Sequence, residues 1–108
     1  MVARIWHGYT LPENADAYEA MLKPELLPGL GKVPGYRGSF LLRRPNGEEV
    51  EFVTMIVADS LEHIKAVTGE DYETAIVPDV RRKLLAHWDE TVTHYEIASI
   101  HGLAGIGG

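Results

Sequence analysis

The chain contains no cysteine among its 108 residues, which excludes disulfides, thiolate catalysis and cysteine-ligated metals. That composition fits a reducing compartment, so a cytoplasmic location is the expectation. Positive charge is also scarce: 10 Lys and Arg stand against 16 Asp and Glu, for a formal net charge of −6. Nucleic acid and anionic membrane surfaces both require a cationic face, so neither is expected as a partner. Two small basic clusters, Arg43-Arg44 and Arg81-Arg82-Lys83, lie beside Glu48, Glu49 and Asp79 and read as solvated, locally paired surface. No run approaches the ~20 apolar residues that a membrane span requires. The first residues, Met-Val-Ala-Arg-Ile-Trp, enter a strand without a signal-peptide core.

What remains is ordinary globular material, 45% hydrophobic and 24% charged, in a length that suits one domain with one core. Val2 to Thr10 is rich in β-branched and aromatic residues and reads as a strand. Pro12, Glu13 and Asp16 suit a first helical turn, and Ala15, Tyr18, Met21 and Leu22 recur at helical spacing to about Lys23. Pro24, Pro28, Gly29, Gly31, Pro34 and Gly35 then break the chain into turns, a long connector of the kind that shapes a pocket mouth.

The clearest local signal is Tyr36 to Arg44, then Asn46-Gly47, then Glu48 to Ala58, which predicts a hairpin with Asn46-Gly47 as its two-residue turn. That turn pairs Arg44 with Glu49, Leu42 with Glu51 and Leu41 with Phe52. One face of the hairpin carries Phe40, Leu42, Val53, Met55 and Val57, and the other carries Arg37, Ser39, Leu41, Phe52, Thr54 and Ile56. Both faces are largely apolar. Asp59 to Glu62 has capping-box spacing and starts a second helix with Leu61, Ile64 and Val67 as its buried stripe and Gly69 past its end. The segment from Glu70 to Val77 suggests a further helical turn, Pro78 opens a short helix through Ala86, and Trp88 to Ser99 reads as the closing strand.

The order is β-α-β-β-α-β, an α+β, ferredoxin-like fold with an antiparallel sheet. Right-handed crossovers place both helices on one side of that sheet. The other side, with its share of the apolar hairpin, has nothing from this chain to cover it. Such a patch is rare on a monomer, so a homodimer packed through the sheet face is expected. Residues 2–99 form the domain, and residues 100–108, glycine-rich and uncharged, form a tail expected to be mobile or loosely docked.

This pattern resembles the antibiotic biosynthesis monooxygenase (ABM) family of dimeric α+β barrel proteins. The likeness is carried by "ARIWHG" on the first strand, "VPGYRGSFLLRR" entering the second, "EFVTMIVADSLEHIKAVTGED" through the third strand and second helix, and "VTHYEI" on the last strand. It spans about residues 2 to 98. The resemblance implies a pocket in each subunit between sheet and helices. Some members use it to oxygenate phenols or quinols with dioxygen and neither metal nor flavin, others degrade haem, and many have no known activity. The haem branch is alike in a first-strand asparagine, a second-helix tryptophan and a histidine beyond that helix. The matching positions here are Ala3, Val67 and Val77, and valine neither ligates iron nor hydrogen-bonds oxygen.

His63 stands at the edge of the second helix's apolar stripe, where an imidazole can act as a general base toward a phenolic proton. Its ordinary alternative is a half-exposed boundary residue. Tyr72 is a candidate hydrogen-bond partner for a substrate carbonyl, or else a core residue with its hydroxyl in water. Trp6 is a candidate stacking wall, or plain core. Arg37 is a candidate partner for a ligand acid or phenolate, or half of a surface ion pair. Trp6 and His7 point to opposite faces of the first strand. The histidines at 7, 63, 87, 94 and 101 have no metal-site spacing, and Gly29-Leu30-Gly31 sits in a proline-rich connector, so no metal and no cofactor is expected. The expectation is a cofactor-independent monooxygenase acting on an electron-rich phenol or quinol; the alternative is a non-catalytic small-ligand-binding or stress-related dimer.

Overall fold

The computed structural model describes residues 1–24 and 33–103. In chain order these form β1 (Val2–Thr10), α1 (Pro12–Pro24), β2 (Tyr36–Asn46), β3 (Glu49–Ala58), α2 (Leu61–Thr68), α3 (Asp79–Arg82), β4 (Leu85–Trp88) and β5 (Thr93–Glu96). The sheet runs β2-β3-β1-β4, with β5 also paired to β1, and every pairing is antiparallel. This is the expected α+β, ferredoxin-like arrangement, with β1 and β3 at its centre.

The β2–β3 hairpin differs from its predicted register by two residues. Asn46 pairs with Glu49, so the loop is Gly47-Glu48, and Gly47 takes the positive φ of 63°. Glycine at the first loop position is the requirement of a II′-type turn, and no side chain has to adopt a left-handed conformation. The shift also places Leu42 opposite Val53 and Phe40 opposite Met55, where the shorter register would set Leu42 against Glu51. Apolar cross-strand pairs favour the observed choice. Because the slip is two residues, the side chains from Ser39 to Arg44 keep their expected faces, while a bulge between Tyr36 and Gly38 breaks the alternation at Arg37.

On the helix-bearing face, Trp6, Leu41 and Ile56 pack against a buried cluster that includes Ala15, Tyr18, Leu22 and Phe52. The ring of Tyr18 meets Phe52 edge-on, with centroids 4.9 Å apart. The opposite face carries Ile5, Phe40, Val53 and Met55, all only half-buried, and Leu42, which is 51% exposed.

Four further expectations change. The N-cap of α2 is Ser60, not Asp59: Ser60 is extended, and its hydroxyl accepts from the His63 backbone N–H at 3.4 Å. Asp59 continues the sheet edge through its N–H to the Gly35 carbonyl, and its carboxylate pairs with Arg37. Within α2, Ile64 is buried but Val67 is 59% exposed. Gly69 ends the helix with φ 85°, as expected. The helix after Pro78 stops at Arg82, because Leu85 is buried in the core as the start of a strand. No helical turn forms between Glu70 and Val77.

The closing strand is split. β4 pairs with Gly8 to Thr10 and β5 with Val2 to Ile5. Between them the chain leaves β1 to bond Glu73 and Ala75, and the Trp6 indole donates to the Asp89 carbonyl at 2.6 Å. No helix among the described residues is long and apolar enough to cross a membrane. The glycine motif at 29–31 and the end of the tail, residues 104–108, lie outside the described residues.

Replacing Phe52 with Ala removes a side chain that is 1% exposed at the centre of this core. The expected loss is about 3–5 kcal/mol in urea denaturation. A loss below about 1 kcal/mol would mean that the sheet–helix packing does not rest on this ring.

Candidate functional site

A cavity of about 90 Å³ opens between the sheet and α2. Its floor is Arg4 from β1 with Ile56 and Ala58 from β3, and one wall is His63, Ile64, Val67 and Thr68 from α2. The other wall is the chain entering β2, Val33, Pro34 and Tyr36. The connector was expected to shape a pocket mouth; its described end does so, and residues 25–32 lie outside the described residues. A water-sized group needs ~15 Å³ by this measure, so the space holds roughly half a dozen such groups. It suits a single ring or a small acid.

Two neighbours fix the His63 imidazole. Its Nδ1 is 2.8 Å from the Ser60 hydroxyl, the same oxygen that caps the helix. Gly35, at φ 83°, lies so close that a Cβ there would run into the ring. Ordering the ring in the folded state in this way lowers the entropic cost of presenting it to a ligand.

Arg4 is the residue that sequence reasoning missed. Its Nη1 donates to the Tyr72 carbonyl at 2.8 Å and lies 3.1 Å from Nε2 of His94, its cross-strand neighbour. An arginine has no acceptor, so Nε2 of His94 receives that hydrogen bond and the imidazole proton sits on Nδ1. This Nδ1 is buried and has no hydrogen-bond partner among the described residues. Burial, then the Arg4 charge, lower the His94 pKa, and Glu73 opposes them. Burial also lowers the Arg4 pKa. The available signal was parity: a charged residue between Ala3 and Ile5, on the same face as Trp6, points into the layer that helices cover.

Of the residues singled out by sequence, His63 lines the cavity and the other three do not. Tyr72 stacks edge-on against His94 at 5.3 Å, with the Lys65 ammonium 5.1 Å from its ring centre, and meets Arg4 only through its main-chain oxygen. Trp6 packs on the helix-side core. Arg37 pairs with Asp59. His7 faces the other side of the sheet, where its Nδ1 lies 2.9 Å from the buried Glu51 carboxylate. Hydrogen bonds from Arg44, then His7, lower the pKa of Glu51. No group of three or more metal-ligating side chains is assembled among the described residues.

No protein-family model matches the chain, and no curated protein does. Among solved structures, the chain is similar to a protein of Chloroflexus aurantiacus J-10-fl named as a candidate antibiotic biosynthesis monooxygenase. The TM-score is 0.58 at 23% identity, over 94% of this chain and 96% of that one. The likeness extends over the whole fold.

Two outcomes check this geometry. The His94 imidazole should titrate below its ordinary value of 6.5, with the Nδ1–H tautomer visible in long-range nitrogen–proton NMR spectra. The folded chain resists protonation there, so this contribution to stability is whole above the unfolded midpoint and is lost as pH falls through the folded one. A midpoint at or above that of exposed histidines would refute the Arg4–His94 arrangement. Gly35→Ala should lower stability by at least about 1 kcal/mol, since alanine tolerates positive φ poorly. It should also shift the His63 ring resonances, and unshifted resonances would mean the ring is not held there.

Proposed function

We propose that this chain is an ABM-like homodimer whose cavity takes a single-ring, electron-rich phenol or quinol and oxygenates it with dioxygen alone. The observation that carries this reading is the fixed imidazole of His63 on the wall of an otherwise largely apolar cavity. His63 removes the phenolic proton, and the electron-rich ring carbon of the anion forms a C–O bond with dioxygen. The peroxide takes up a proton, the ring C–H proton leaves, and the O–O bond breaks to release water. One oxygen atom remains in the quinone and the other leaves as water, so the phenol is the only reductant. Tyr72 contributes through the main-chain oxygen that holds Arg4, and Trp6 through the packing that backs the sheet. Arg37 holds the start of β2 to Asp59, beside the cavity mouth.

Dimerisation is supported by the incompletely covered sheet face away from the helices, where Ile5, Phe40, Leu42, Val53 and Met55 lie side by side, half-buried or exposed. A second copy packed on it removes that area from water at ~25 cal/mol per Å². The cysteine-free composition supports a cytoplasmic location. A second reading, a non-catalytic binding or stress-related dimer, is favoured by the modest cavity volume and by the distance of Tyr72 and Trp6 from its lining.

Purified, metal-stripped protein should consume oxygen with single-ring hydroquinones and phenols, and His63→Ala should abolish that uptake while keeping fold and dimer. Uptake that persists in His63→Ala removes the imidazole from the mechanism, and no uptake across the panel favours the binding reading. By sedimentation the protein should be a dimer, and Met55→Asp, on the sheet face away from the cavity, should shift it to monomer. A wild-type monomer at micromolar concentration would sink the dimer.

A further inference from the structure

We infer that the cavity is an anion site: Arg4 is the counter-charge for the carboxylate or phenolate of a flat, single-ring ligand. This inference rests on the cavity described above but not on turnover there.

The argument begins with donor accounting. A guanidinium has five N–H groups. The two on Nη1 go to the Tyr72 carbonyl and to Nε2 of His94. The three on Nε and Nη2 have no acceptor among the described residues. These are the groups that form the bidentate edge of arginine, matched to two oxygens of a planar acid.

The chain has carboxylates to spare, and it uses them elsewhere. Arg37 pairs with Asp59, Arg43 with Asp16 and Glu19, and Arg44 with Glu51. These three residues are exposed, whereas Arg4 is half-buried, lines the cavity and has a neutral imidazole as its neighbour. A half-buried cation without a carboxylate is costly, and the burial that lowers its pKa is the sign of that cost. A ligand that brings its own negative charge removes the cost, and a neutral one of the same shape does not.

The rest of the lining completes the specificity. Ile56, Ala58, Ile64 and Val67 give the ring an apolar bed, and His63 offers one polar group on the α2 wall. The site therefore selects a ring acid over an aliphatic dication or a polar neutral molecule of similar size.

Benzoate and benzamide, nearly equal in shape but one an anion and the other neutral, provide the test by calorimetric or NMR titration of the intact protein. Benzoate should bind at least about tenfold more tightly than benzamide, and Arg4→Gln should lower benzoate affinity by a similar factor. Val67→Trp, a substitution at an exposed position on the cavity rim, should block binding while Arg4 is intact. Equal affinities for the two probes, no benzoate binding at millimolar concentration, or binding that survives Val67→Trp would each overturn the inference. Should Arg4→Gln fail to fold, the probe pair and Val67→Trp still decide. Oxygen uptake separates the two proposals: benzoate selectivity without uptake sinks the oxygenase and leaves the anion site, and uptake without charge selectivity does the reverse.

Discussion

The pairing of β1 with β3 governs which face of the sheet each of their side chains occupies. The two strands run antiparallel in unbroken register from Val2 opposite Ala58 to Thr10 opposite Val50. Since side chains alternate, this single alignment sends Arg4, Trp6 and Ile56 toward the helices, and Ile5, Val53 and Met55 the other way. A one-residue slip of β1 would put the guanidinium on the open face, and the same slip of β3 would instead put Met55 under the helices. The register resists that slip because both faces of β3 are apolar but not equivalent. Phe52 fits against Tyr18, whereas Glu51 fits only where Arg44 and His7 can meet it.

The cavity is a consequence of how α2 is launched from that sheet. Extended backbone at Ser60 turns the chain, and its hydroxyl satisfies the first-turn N–H of His63 while holding the same residue's imidazole. The helix is short, and its stripe of large apolar residues is thin: Ile64 is buried but Val67 stays exposed at the rim. A longer side chain pointing inward would fill the gap between β3 and α2. Gly35 on the facing wall lets the imidazole lie against the backbone rather than across the cavity. The opening therefore has a sequence-level cause in three small or polar residues, Gly35, Ala58 and Ser60.

The fold was legible because its signals were periodic and redundant. The hairpin's two apolar faces, the helical spacing of Ala15, Tyr18 and Leu22, and Gly69 past α2 all agree with the structure. The errors arose where two local solutions differ by little and a distant contact decides. Asn46-Gly47 is a good turn, but Gly47-Glu48 gives better cross-strand partners to Leu42 and Phe40. Asp59 is as good a cap as Ser60, but Arg37, 22 positions away, occupies it. The closing strand divides because Trp6 and Glu73 draw backbone groups of the intervening segment to themselves, and neither appears in a local window. The candidate site was partly legible for the same reason. His63 follows from helix periodicity, whereas the role of Arg4 depends on what does not pair with it, and that requires all of its neighbours at once.

Natural sequences keep an unpaired half-buried charge only where something offsets its cost. At Arg4 a substitution by leucine or methionine would extend the apolar floor formed by Ile56 and Ala58 and would free the chain of a desolvated cation. A glutamate on the facing helix would neutralise it. Neither solution is present, although α2 carries Glu62 at an exposed position where its partner is Lys65. The guanidinium is instead tied at one nitrogen by a main-chain carbonyl and a neutral imidazole, contacts that orient it without cancelling its charge. Orientation without neutralisation is the condition a cation must meet to recognise an anion that arrives and leaves. The same condition bears on chemistry. A phenol held beside a fixed positive charge gives up its proton more readily, so the group proposed to select the ligand would also favour the anion on which the proposed oxygenation depends.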